Sequence, residues 1–175
     1  MRKSKYTLLY YIGLCGLLLC AACKNKTIYS HYEHVPISGW EKNDTLFFAI
    51  TPIKQDGNYQ ENIGIRINGS YPFMGLTLIA EQTIFPSMES HSDTLNYELI
   101  DEDGNMKGKG ISHYQYSFPL KTLQLQEGDS VSINIRHDMK REILPGVSDI
   151  GITLIKESSS RASQMPTGIN TQEDK

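Results

Sequence analysis

Asn62-Ile63-Gly64-Ile65-Arg66-Ile67-Asn68 decides the fold class. Its apolar residues recur at every second position. Ile63, Ile65 and Ile67 therefore share one side of an extended chain, with Gly64 and Arg66 opposite. A period of two marks a strand with one face in a core, and β-branched side chains suit that pleated surface. The pattern recurs in both directions. Leu46, Phe48 and Ile50 share a face within residues 45–51, Leu76, Leu78 and Ala80 within 76–81, and Leu95, Tyr97 and Leu99 within 94–100. Val131, Ile133 and Ile135 do so within 130–136, and Ile150, Ile152 and Leu154 within 150–155. Weaker strand character over residues 111–118 raises the expected count to seven or eight strands; residues 120–125 read as one helical turn or an extended edge.

Turn chemistry separates these runs: Asp56-Gly57-Asn58, Asn68-Gly69-Ser70, Asp103-Gly104-Asn105, Glu127-Gly128-Asp129 and Pro145-Gly146. Each supplies a residue that starts a turn or adopts positive φ. Beyond the N-terminal segment no stretch sustains a 3.6-residue period, and without helices parallel crossovers have nothing to be built from. The expected fold is all-β, an antiparallel β-sandwich with a jelly-roll-like arrangement.

Ahead of this domain, Arg2, Lys3 and Lys5 precede an apolar run over residues 6–19 and then Cys20-Ala21-Ala22-Cys23. This reads as a lipoprotein signal peptide cut before Cys23, whose sulfur then carries diacylglycerol. The run is short for a membrane-crossing helix, which needs roughly 20 apolar residues. Cys20 stands where leucine is commoner. The expected organisation is signal peptide 1–22, lipidated tether 23–33, β-sandwich 34–156 and disordered tail 157–175, the tail being almost without apolar residues. Lys24 follows the cysteine where aspartate favours inner-membrane retention, which points to the outer membrane. No acidic run after Cys23 marks export to the surface.

Removing the signal leaves 153 residues with 14 cations against 20 carboxylates, a net charge of −6. A mildly acidic domain without a basic patch disfavours nucleic acid as a partner. Cys15 and Cys20 leave with the signal and Cys23 is acylated, so no thiol, disulfide or cysteine metal site remains.

Arg136-His137-Asp138-Met139 is the densest polar group. His137 beside Asp138 has the residue types for acid–base work, but no serine or cysteine sits in a nucleophile-elbow context. A strand end capping its neighbours is the preferred reading, with no catalytic residue and no cofactor. Asp101-Glu102-Asp103-Gly104-Asn105 lacks the spacing of a calcium loop, because Ser112 stands at the twelfth position where a bidentate glutamate is needed. It reads as an acidic hairpin tip, and no metal site is expected.

Trp40, Tyr71, Arg136 and His137 are the candidate contacts for a ligand or protein partner. Exposed aromatics stack on sugar rings or anchor interfaces. The competing and preferred reading has Trp40 plugging one end of the sandwich and Tyr71-Pro72-Phe73 closing a turn onto the core. Thr45, Thr94 and Ser130 each follow an aspartate and precede an apolar residue. They match the short sites that receive O-linked glycans in exported Bacteroidota proteins, although an aspartate turn opening a strand explains the same residues.

Several motifs occur together in order. They are the cysteine motif ending at Cys23, Tyr32 and Trp40, Asp44-Thr45-Leu46-Phe47-Phe48, and Arg66 ahead of Tyr71-Pro72-Phe73. Residues 99–110, Arg136-His137-Asp138-Met139 and residues 144–152 follow. In this order the chain resembles the gliding-motility lipoproteins of the H type, a Bacteroidota family. The resemblance implies an envelope lipoprotein supporting surface-adhesin gliding, with no catalytic residues to carry over and Cys23 as the lipid site. The reading is a lipid-anchored, non-catalytic structural or interaction component, held in the bilayer through acylated Cys23 and contacting envelope proteins. A carbohydrate-binding lipoprotein, with a glycan on the exposed aromatics, is the alternative.

Overall fold

The computed structural model describes residues 26–157. Its strands are β1 (Lys26–His34), β2 (Trp40–Glu41), β3 (Leu46–Ile50), β4 (Gly57–Asn68), β5 (Gly75–Phe85) and β6 (Glu89–Glu98). They continue with β7 (Lys109–Gly110), β8 (His113–Leu125), β9 (Ser130–His137), β10 (Ile143–Leu144) and β11 (Val147–Lys156). Every pairing is antiparallel. A five-stranded sheet in the order β1-β11-β4-β8-β7 lies against a four-stranded sheet in the order β3-β9-β5-β6, with β10-β2 as a short ribbon. The fold is the all-β sandwich that the alternation predicts, with eight long strands.

The inward sets read from the sequence fill the space between the sheets. Ile63, Ile65, Ile67, Leu78, Ile133, Ile135, Ile150, Ile152 and Leu154 are each 0% exposed. A buried Leu or Ile side chain stabilises the fold by roughly 1.5–3 kcal/mol, so this set supplies much of the favourable term. Gly64 and Arg66 face away from it, as expected.

Cross-strand registers define two ends. Lys26 opposes Lys156, Lys156 opposes Tyr59 and Gly57 opposes Leu125. The turn after Leu125 leads to Ser130, which opposes Phe85. These residues mark one end. His34, Asn68, His113, His137 and Glu98 lie toward the other, with Trp40 and Tyr71.

One expectation is corrected, and of the two readings of residues 120–125 the extended one holds. The tether predicted over 23–33 is a strand from Lys26 onward, paired with β11 along its length. It lacks an alternating pattern because it is an edge whose backbone hydrogen bonds need no apolar face; only Tyr29 packs against the core. Residues 120–125 are extended and continue β8, with a register shift opposite Glu61 and Asn62 that accommodates Pro119 and Leu120. A bulge is where proline is tolerated in a sheet. The signal peptide, Cys23 and the tail after Glu157 lie outside the described residues.

Candidate interaction site

The predicted contact residues gather at the end of the sandwich where β9 finishes. Trp40 and His137 meet edge to face, ring centroids 5.3 Å apart, and both are 0% exposed. The indole Nε1 donates to the Asp44 carbonyl at 3.0 Å. His137 Nε2 lies 3.0 Å from the Trp40 carbonyl, and its Nδ1 accepts from the Met139 backbone N–H at 3.3 Å. A carbonyl only accepts and an N–H only donates, so the ring is the neutral tautomer protonated at Nε2. Burial is the largest cause holding the His137 pKa below its ordinary value. With both nitrogens engaged by backbone, no lone pair or mobile proton of His137 faces solvent. This is the capping role, not the acid–base one.

Tyr71 is also buried, donating to the Gly75 carbonyl at 2.7 Å and meeting Phe73 edge to face. Trp40, Tyr71 and His137 are therefore core, as the plugging and capping readings have it, and as candidate contacts they are corrected, because each has a polar atom satisfied inside the fold and a ring that fills the sandwich end. Arg136, on the outer side of β9, remains half-buried.

Over this plug lies a cavity of about 680 Å³ lined by Phe73, Thr77, Asp138, Met139, Lys140 and Arg141. Its floor is braced by the Asp138 N–H to Thr77 carbonyl bond at 2.9 Å and by Lys42 Nζ donating to the Met139 carbonyl at 3.0 Å. Half-buried Phe73 and Met139 give it an apolar base, and exposed Asp138, Lys140 and Arg141 give its rim charge of both signs with one cation in excess. Exposed Ile37, Met74, Ile111 and Ile143 surround the same end.

A second feature lies on the outer face of the five-stranded sheet. Tyr32 opposes Gly151, and Gly151 opposes Gly64. Neither glycine carries a Cβ, so the Tyr32 ring lies against both; a Cβ on Gly151 would come within 2.6 Å of the ring. The Arg66 guanidinium lies 4.1 Å from the ring centroid on this face, and Asp149 pairs with His34 and lies 3.9 Å from Arg66. Sequence alternation placed Gly64 and Arg66 outward; their meeting with Tyr32 needed the β1–β11–β4 register.

Of the O-glycan candidates, Thr94 is exposed on β6, whereas Thr45 and Ser130 are half-buried beside strand starts. In the acidic loop the Asp101 carboxylate accepts from the Asn105 N–H at 2.7 Å, the Asp103 N–H at 3.1 Å and Asn105 Nδ2 at 3.1 Å. Those bonds hold its pKa below the ordinary value and close the turn. Among the described residues no group of three or more histidine, cysteine or acidic side chains is placed to hold a metal ion.

The family model described as GldH lipoprotein matches residues 27–154. The chain therefore belongs to the GldH lipoprotein family, an all-β lipoprotein class. It is 26% identical over 158 residues to the gliding motility lipoprotein GldH homolog of Christiangramia forsetii, covering 85% of this chain and 96% of that one. It is 27% identical over 152 residues to the gliding motility lipoprotein GldH of Flavobacterium johnsoniae, covering 79% and 94%. A crystal structure from Sulfurospirillum deleyianum aligns with a TM-score of 0.39 at 9% identity, over 74% of this chain and 98% of that one.

Proposed function

We propose that this protein is a non-catalytic component of a gliding-type envelope assembly, anchored in the outer membrane by acylated Cys23, and that it receives a protein partner at the Phe73–Arg141 cavity. The observation that carries the reading is the cavity itself. It combines an apolar base at Phe73 and Met139 with a rim where Lys140 and Arg141 outnumber Asp138. The nearest imidazole, His137, is closed off from it by backbone hydrogen bonds. An acidic-apolar segment of an envelope protein fits that chemistry, since buried aromatic and aliphatic anchors with charged rims dominate interface energetics. A glycan site centred on Trp40 loses its basis, because that ring is 0% exposed.

The test is photocrosslinking in whole cells from a photoreactive residue at position 73, with position 47 as control; Phe47 is 67% exposed on β3, away from the cavity. A discrete envelope-protein adduct from position 73 that is absent from position 47 supports the reading. Uncrosslinked monomer alone from position 73 counts against it.

A further inference from the structure

We infer that the end of the sandwich opposite the cavity rests on the bilayer and makes a second, apolar membrane contact through Phe85 and Met88. The inference rests on acylation of Cys23. Its geometry comes from where β1 begins. Only Lys24 and Asn25 separate Cys23 from Lys26, the first residue of a strand locked to β11. Three residue steps span about 10 Å even when fully extended. An acyl chain on Cys23 thus holds the Lys26 end of the sandwich within roughly that distance of the headgroups.

The registers carry that end across the molecule. Lys26 opposes Lys156, Gly57 opposes Leu125, and Ser130 opposes Phe85, the last residue of β5. The Phe85-Pro86-Ser87-Met88 connection to β6 therefore protrudes on the anchored side. It exposes Phe85 at 38% and Met88 at 64%, with Met88 held at φ 60. Ile28, skipped by the register shift between Thr27 and Tyr29, is a further exposed apolar side chain near the same end.

Charge does not provide the attraction. Lys24, Lys26, Lys54 and Lys156 are outnumbered here by Asp56, Glu89, Glu127, Asp129 and Glu157. Asp56 and Asp129 carboxylates cap the Glu127 and Gln126 N–H groups, at 2.6 and 2.9 Å. The contact is apolar and weak alone, but the anchor makes it intramolecular, and a high effective concentration turns a weak contact into an occupied one. The consequence is an upright sandwich that presents its cavity away from the membrane.

The test uses the lipidated full-length protein in phosphatidylcholine vesicles. A polarity-sensitive fluorophore is placed through Met88→Cys, or through Ile37→Cys at the far end, with Trp40 emission checking the fold. The expected result is a several-fold brighter, blue-shifted probe at 88 that shallow spin-labelled lipid quenches and 1 M salt leaves unchanged, while the probe at 37 stays aqueous. A vesicle-bound protein whose probe at 88 stays aqueous overturns the contact and leaves the anchor reading standing. A membrane response at 37 in place of 88, or loss of the response at 88 in salt, also overturns it. A protein that does not float with vesicles removes the anchor reading and the contact together.

Discussion

Gln82 Nε2 donates to Glu61 Oε2 at 2.9 Å, joining β5 of one sheet to β4 of the other inside the sandwich. Glu61 is 0% and Gln82 6% exposed, and Glu61 Oε1 has no hydrogen-bond partner among the described residues. Burial pushes the Glu61 pKa up to about 7 against the opposing effects of the Gln82 hydrogen bond and Lys121, with Asp93 adding to the rise. The Tyr97 hydroxyl, also buried without a partner among the described residues, is pushed up to about 12, by burial first and by Glu61 second. The Glu61 carboxyl is therefore proton-linked to the fold.

The sign of its effect follows from linkage. Between the ordinary value of 4.5 and about 7 the folded chain keeps a proton that the unfolded chain has released. The stability from this group is complete below pH 4.5 and lost as pH rises through 7. The loss by pH 8 is on the order of 3 kcal/mol. Urea melts of Glu61→Gln should show greater stability than the parent at pH 8 and little difference at pH 4.5. Equal parent and variant profiles would contradict the buried carboxyl.

His137 acts in the opposite direction. Its folded pKa is held below 6.5, so its contribution is complete above that pH and lost on acidification. In the Glu61→Gln background the alkaline loss disappears, and stability falls only below about pH 6.5. Carbon-13 shifts of the His137 ring should report the neutral Nε2–H tautomer at pH 7.

Gly151→Ala places a methyl against the Tyr32 ring and displaces it from beneath Arg66. The expected cost is about 1–3 kcal/mol of stability, the range for overpacking. Combined with Tyr32→Ala, the added cost of the methyl should largely vanish. A double-mutant cycle by denaturant melting measures that coupling.

Trp40→Phe removes the indole bond to the Asp44 carbonyl and leaves a cavity beside His137. The expected loss is about 2–4 kcal/mol. In the parent, acrylamide should quench Trp40 weakly and a glycan panel should leave its emission unchanged, both read by fluorescence.

Cys23→Ala should release the protein into the soluble fraction with its melting transition intact, since the described fold begins only at Lys26. Fractionation with circular dichroism checks both halves of that outcome.

Alternation in sequence made the sandwich legible wherever a strand had one apolar face. Ile63, Ile65 and Ile67, Val131, Ile133 and Ile135, and Ile150, Ile152 and Leu154 could be assigned inward because side chains alternate across a strand regardless of its neighbours. The same parity held a signal for Glu61 and Gln82. Each lies two residues beyond an apolar inward set, Ile63 on β4 and Ala80 on β5, where a charged or amide side chain masked the continuing strand. The edge strand β1 was hidden because pairing through the backbone needs no apolar pattern.

The sequence by itself determined the strand class, the inward faces, the acidic balance and the cysteine inventory, all of which are local or additive properties. Only the tertiary structure decided which backbone groups Trp40, Tyr71 and His137 bond, that Glu61 meets Gln82, that Tyr32 lies under Arg66, and that Lys26 and Phe85 share an end. Those depend on register and sheet order, which bring residues far apart in the chain to within a few ångströms of each other, and no local pattern encodes such distances.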